Sequence, residues 1–314
     1  MAGLLLVADI GGTNTRVGLA DDAGLIAGST RRYRNAETES FEAALDTFMK
    51  EMAPGPLAGV CAGAAGPVTD GIGRMTNLSW EIDPKSMRDV TGAAVADVIN
   101  DLQAQGYALD DLTAETTRAV VEASAPKDGP RLVVGLGTGF NIVPVHHYGQ
   151  DLVVPSCEGG HASLPYRKDQ ATLCDWLNAN RGYASIEVAL AGQGLENIYE
   201  FHSGEKRAAS DIMAGFDAGD ALAQATMKDY VALLGAVVGD YALSHLPFGG
   251  IYLTGGVARA VAPHLAQFGF AEIKAQKGRF SELAGAINVT LIEDDFAALK
   301  GCARHLRQVF TAQS

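Results

Sequence analysis

The residues best suited to chemistry come first in the chain. A short apolar run from Leu4 to Ala8 leads into Asp9-Ile10-Gly11-Gly12-Thr13-Asn14. An acid at a strand end, two glycines, a hydroxyl and an amide suit a metal-bound triphosphate. Gly11 and Gly12 would turn the backbone tightly and bring its N–H groups to phosphate oxygens. Thr13 and Asn14 would add side-chain donors. Asp9 would hold Mg²⁺ through water, because Mg²⁺ gives up its hydration reluctantly. The same residues can also be read as a Gly-Gly hairpin turn with Asp9 as a local hydrogen-bond acceptor.

After the turn, Arg16 and Gly18 interleave with Val17 and Leu19, so the turn joins two strands. The Walker loop and the dinucleotide fingerprint both enter a helix and are excluded. A second stretch repeats the pattern: Leu132-Val133-Val134, then Gly135-Leu136-Gly137-Thr138-Gly139-Phe140-Asn141, then Ile142-Val143-Pro144-Val145. Two related lobes with a nucleotide between them would account for the repeat; coincidence between two glycine-rich hairpins is the alternative.

The elements that must hold these turns alternate along the whole chain. Phe41, Ala44, Leu45, Phe48, Met49 and Met52 fall at helical spacing and predict a helix over 40–52, stopped by Pro54-Gly55-Pro56. Residues 57–62 read as a buried strand and 95–99 as another strand, with Asn100-Asp101 at the end of the second. Pro84 suits the first turn of a helix over 84–91. Residues 221–246 predict a long buried helix, followed by a strand at 250–253 and Thr254-Gly255-Gly256. Residues 296–310 predict a closing helix, and 110–130 are polar enough for an exposed connection.

With 314 residues, the chain is long enough for roughly two domains. Its net charge of −13 argues against nucleic acid as the main partner. No apolar run approaches the ~20 residues that span a bilayer, and no secretory signal is evident. Cys61, Cys157, Cys174 and Cys302 are scattered, as free thiols of a cytoplasmic protein would be.

An ordered set of stretches resembles the bacterial glucokinases of the non-zinc hexokinase type, in the actin-like ATPase superfamily. They are residues 9–14, Gly66-Pro67, Met75-Thr76-Asn77-Leu78-Ser79-Trp80, Ile99-Asn100-Asp101, Gly135-Leu136-Gly137-Thr138-Gly139 and Glu158-Gly159-Gly160-His161. Leu190-Ala191-Gly192-Gln193-Gly194-Leu195, Leu253-Thr254-Gly255-Gly256-Val257 and Lys277-Gly278-Arg279-Phe280 complete it. The resemblance covers nearly the whole chain. It implies an α/β, two-lobed actin-like ATPase (ribonuclease H-like) fold with mixed sheets flanked by helices. The implied small domain is 1–103 plus 297–314 and the large domain 104–296, with the active site in the cleft between.

The resemblance further implies ATP-dependent phosphorylation of D-glucose at O6, with Mg²⁺ as the metal and a homodimer as the assembly. A sugar hydroxyl is a poor nucleophile until a carboxylate accepts its proton, and the family assigns that role to the position of Asp101. Asn100, Glu158, His161 and Glu187 take sugar contacts, with Asn77 near the sugar. Gly137, Thr138 and Gly139 form the second phosphate loop, and Gly255 and Gly256 let the backbone approach the adenine and ribose. An isolated Asn-Asp would instead read as an Asx-turn, His161 as a structural histidine and Glu187 as a solvated helix face.

Two departures from the family pattern stand out. Asn141 occupies a position where relatives often carry glycine; asparagine tolerates left-handed backbone angles. Leu102 stands where phenylalanine is common. Residues 162–171 contain no cysteine, whereas the zinc-binding relatives carry a cysteine-rich knuckle there, so no zinc is expected. A kinase for another hexose and a non-catalytic sugar-binding regulator are the alternative functions.

Overall fold

An uninterrupted apolar run such as Leu5 to Ala8 belongs inside a sheet covered on both faces. In a computed structural model describing residues 3–124 and 128–312, those four side chains have no exposed surface. The strand they form, Leu4–Ile10, pairs antiparallel with Asn14–Asp21 and parallel with Leu57–Ala64, which is in turn parallel to Val95–Asn100. Gly24–Leu25 and Arg31–Arg34 extend the hairpin side.

This sheet belongs to a unit made of Met1–Thr113, Tyr148–Ser156 and Asp294–Ser314. Ser40 caps the helix Phe41–Met52 by accepting from Ala43 N–H. Asp83 and Pro84 start Pro84–Thr91. The C-terminal helix, Ala297–Ala312, packs on Leu4–Ile10 and Leu57–Ala64 and beside the helix Asp101–Tyr107. Its Cys302 thiol donates to the Ala8 carbonyl, and its His305 pairs with Asp97 at 2.7 Å. A boundary after residue 103 would cut Asp101–Tyr107, which stays whole within this unit.

A second unit comprises Ala114–His147 and Cys157–Glu293. Its sheet has the order Thr117–Val121, Val289–Ile292, Ile251–Thr254, Arg131–Leu136, Phe140–Tyr148. Arg131–Leu136 pairs antiparallel with Phe140–Tyr148 and parallel with Ile251–Thr254, which is parallel to Val289–Ile292. Each unit thus has the strand–turn–strand hairpin that the sequence repeat predicts, and on the other side of its first strand two successive parallel strands. Part of the polar 110–130 stretch is the strand Thr117–Val121; residues 125–127 lie outside the described residues.

The long buried helix expected over 221–246 is Ala221–His245, but the expectation that no stretch is apolar enough to span a bilayer needs correction. The helix Ala221–His245 is long and apolar enough, by length and composition, to cross a membrane. Gln224, Thr226, Lys228, Asp229, Asp240 and Ser244 interrupt its apolar residues. Here it is the core helix of the second unit, with Tyr230, Val231, Leu233, Leu234, Val237 and Val238 fully buried. Helices Gly192–Ser203 and Phe270–Ala275 pack against it.

Candidate active site

The first turn is a hairpin closed by Gly11 N–H donating to Asn14 O at 3.0 Å. Asn35, directly after the strand Arg31–Arg34, braces it. Its Nδ2 donates to Gly11 O at 2.8 Å, its backbone N–H donates to Thr13 O at 2.9 Å, and its Oδ1 accepts from Thr15 Oγ1 at 2.8 Å. Nothing near Asn35 in the sequence signals this role, which arises only when Arg31–Arg34 pairs with the hairpin. Gly12 and Thr13 are exposed.

Asp9 and Arg16 are direct partners across this hairpin, and Arg16 Nη1 lies 3.3 Å from Asp9 Oδ2. Burial raises the Asp9 pKa, and the Arg16 guanidinium partly offsets it. Asn77, expected near a sugar, stands beside this turn: its Nδ2 lies 3.6 Å from where a Cβ on Gly12 would sit.

Asp101 opens its helix at the end of Val95–Asn100. Asn100 is the N-cap. Its Oδ1 accepts from Leu102 N–H at 3.0 Å, its backbone N–H donates to Gln103 Oε1 at 3.1 Å, and its Nδ2 donates to Gly66 O at 3.0 Å. Asn100 therefore fixes the helix start that carries Asp101. The surrounding protein and, second, the charge of Asp9 push the Asp101 pKa up to about 7, against the opposing hydrogen bonds from Leu102 N–H and Asn100.

In the second unit, Gly137 N–H donates to Gly139 O at 2.9 Å, and Gly192 N–H donates to Gly137 O at 2.8 Å. Glu187, on the short helix Ile186–Leu190, accepts Phe140 N–H through Oε2 at 3.0 Å. Gly255 has φ 104°, and a Cβ there would fall on the Leu136 carbonyl. Glycine is thus required where the Ile251–Thr254 strand end meets the turn at 137–139.

The turn carrying Glu158 and His161 is seated on the same hairpin. Gly160 lies so close to the Phe140 carbonyl oxygen that no Cβ fits. Tyr241 OH donates to Gly159 O at 3.1 Å, and its ring stacks on Phe140 with centroids 6.4 Å apart. Asn141 Nδ2 donates to Cys157 O at 2.6 Å and to Glu158 Oε2 at 3.2 Å. Asn141 is an ordinary strand residue paired with Gly135 and does not adopt the left-handed backbone that its family position suggested. Glu158 and His161 are exposed.

The first unit thus groups Asp9, the 11–14 turn, Asn77 and Asp101; the second groups the 137–139 turn, Glu158, His161, Glu187 and Gly255. Asn35, Asn141 and Tyr241 support these groups; the sequence gives no sign of Asn35 or Tyr241, and marks Asn141 only as a departure from the family pattern. Among the described residues, no three His, Cys, Asp or Glu side chains form a metal-binding group. Mg²⁺ needs no such group: it keeps several waters and takes one or two carboxylates plus substrate phosphates. Asp9, partly exposed at the phosphate-type turn, fits that requirement.

The family model described as Glucokinase matches residues 6–309. A glucokinase of Rhizobium etli is 29% identical over 315 residues, covering 96% of this chain and 91% of that protein. The crystal structure of a glucokinase from an Antarctic psychrotroph is 28% identical with a TM-score of 0.87, covering 97% of this chain and 99% of that one. A ROK family glucokinase from Streptomyces griseus, solved in complex with glucose and AMPPNP, has a TM-score of 0.66 at 20% identity, covering 98% of this chain and 100% of that one. The fold is that of the actin-like ATPase sugar kinases.

Proposed function

The chain belongs to the glucokinase family, and from that membership we propose that it transfers the γ-phosphoryl group of ATP to O6 of D-glucose. The observation that carries this reading is the Asp9–Asp101 pair. One carboxylate stands at a Gly-Gly-Thr turn suited to phosphates, and the other has its proton affinity raised to about neutrality. A base poised near the working pH accepts a hydroxyl proton most effectively.

The residues divide the work. Backbone N–H groups of the 11–14 and 137–139 turns, with Thr13, Asn14 and Thr138, would bind the phosphates, and Gly255 and Gly256 would admit the nucleoside. Asp9 would hold Mg²⁺ through water, and that ion would offset charge on the transferring phosphoryl group. Glu158, His161 and Glu187 would accept or donate hydrogen bonds to sugar hydroxyls. Asn100 would act by holding Asp101, which takes the O6 proton as the O6–phosphorus bond forms and the bond to ADP breaks. Asn77 would serve the phosphate turn as well as the sugar. The complex of the Streptomyces griseus relative with glucose and AMPPNP supports both substrates.

An ADP-release assay with Mg²⁺-ATP and a panel of glucose, mannose, fructose and N-acetyl hexosamines tests the reading. Glucose should give the highest kcat/KM, and the product should be oxidised by glucose-6-phosphate dehydrogenase. Turnover of another hexose with none of glucose would overturn the substrate assignment.

A further inference from the structure

A carboxylate on an exposed turn discriminates between hydroxyls only if its orientation is fixed. Glu158 is such a group. Among the described residues, its carboxylate has one hydrogen bond, from Asn141 Nδ2 at 3.2 Å. We propose that Asn141 is the positioning residue for Glu158 and sets the affinity of the site for glucose. The inference rests on the sugar-kinase reading above and extends it to a residue outside the expected binding set.

The amide of Asn141 is held at both ends. Its Oδ1 accepts the Ile142 N–H at 2.8 Å, which directs Nδ2 toward the sugar turn. An amide nitrogen carries two donors. One goes to Cys157 O at 2.6 Å and fixes the backbone just before Glu158; the other goes to the Glu158 carboxylate. The same side chain therefore sets where the turn begins and where its acid points. The backbone at 141 is extended and paired with Gly135, so the position imposes no left-handed geometry that would call for Asn or Gly. Gly160, pressed on the Phe140 carbonyl, and Tyr241, bonded to Gly159, hold the rest of the turn. They leave the Glu158 carboxylate to Asn141.

Glucose dissociation constants by calorimetry, KM for glucose and for ATP, and thermal midpoints test this in the full chain for wild type, Asn141→Gly and Asn141→Asp. Losing a hydrogen bond to a charged group weakens an interaction by about tenfold or more. Asn141→Gly should therefore raise the glucose constant about tenfold and leave the ATP KM within about twofold. Asn141→Asp keeps an acceptor for Ile142 N–H but sets a carboxylate against Glu158, so it should weaken glucose further.

Unchanged glucose affinity in both variants would overturn the proposal. So would a parallel rise in the glucose and ATP constants with a lowered thermal midpoint, which marks a purely structural role. If the wild-type protein neither binds nor phosphorylates glucose, the functional reading itself fails and this proposal with it. If wild type binds glucose and the variants match it, this proposal alone fails.

Discussion

Asp9 and Asp101 stand at corresponding ends of two strands that flank a third. Asp9 is level with Gly63 on Leu57–Ala64, and Gly63 is level with Ile99, two residues before Asp101. Gly63 keeps the spacing tight: a Cβ there would lie 3.2 Å from Ala104 Cβ and 3.6 Å from Asp101 Cα. Parallel pairing of apolar strands thus places two acids within each other's field, and the charge of Asp9 raises the pKa of Asp101.

Removing that charge should reverse its effect. In Asp9→Asn, the Asp101 carboxyl should titrate at a lower pH than in wild type, where burial and Asp9 together raise it to about 7. Carbon-detected NMR titration of the nucleotide-free protein measures this directly. An unmoved Asp101 titration would show that burial alone sets its proton affinity.

Asp101→Asn should separate chemistry from stability. Loss of a general base typically costs ~10²–10⁴-fold in rate, so kcat should fall by that order while calorimetry still detects glucose. The sign of the stability effect follows from linkage. The folded state binds the Asp101 proton more tightly than the unfolded chain, whose carboxyl titrates near pH ~4. The stability this confers is full below pH ~4 and lost as pH rises through about 7. The variant should therefore melt above wild type at pH 8, and the difference should vanish as pH falls toward 4. A variant that melts below wild type at pH 8, or that keeps its turnover, would contradict these roles.

Much of this arrangement is legible in the sequence because it is local. Both glycine turns, the Pro84–Thr91 helix with proline in its first turn, and the apolar runs of the central strands follow from short-range chemistry. What escapes is made by contacts between distant residues. Asn35 braces a turn more than twenty positions away, and Asn141 reaches Glu158 only once the second hairpin has paired. Asn100 reads as a sugar contact in its motif, yet its amide is engaged by Gly66 and Leu102. The long buried helix over 221–246, by contrast, is legible; it passes the length and composition test for a membrane span because a core helix surrounded by protein is selected for the same residues.

Gly160→Ala should disrupt the second unit's sugar turn. Its Cβ would land on the Phe140 carbonyl oxygen, a backbone atom that cannot move aside as a side chain would. Overpacking of this kind costs typically ~1–3 kcal/mol. Turn and hairpin would separate, carrying Glu158 and His161 away from Phe140. The expected outcome is a lower thermal midpoint together with loss of most glucose affinity. Full glucose affinity in the variant would mean that the turn need not be seated on the hairpin.

Glu187 should affect both substrates, in contrast to Asn141. Its Oε2 accepts the Phe140 N–H at 3.0 Å and lies 2.9 Å from where a Cβ on Gly139 would sit. It therefore holds the 137–139 turn expected to bind phosphates, while its family position assigns it to the sugar. In Glu187→Gln, the side chain can still accept from Phe140 N–H, so the turn should persist and mainly glucose binding should weaken, by about tenfold for a lost charge-assisted hydrogen bond. In Glu187→Ala, Phe140 N–H loses its partner and the turn its brace, so KM for ATP should rise along with KM for glucose. Steady-state kinetics with each substrate varied in turn separates the cases. An unchanged ATP constant in Glu187→Ala would confine Glu187 to the sugar and free the phosphate turn from its support.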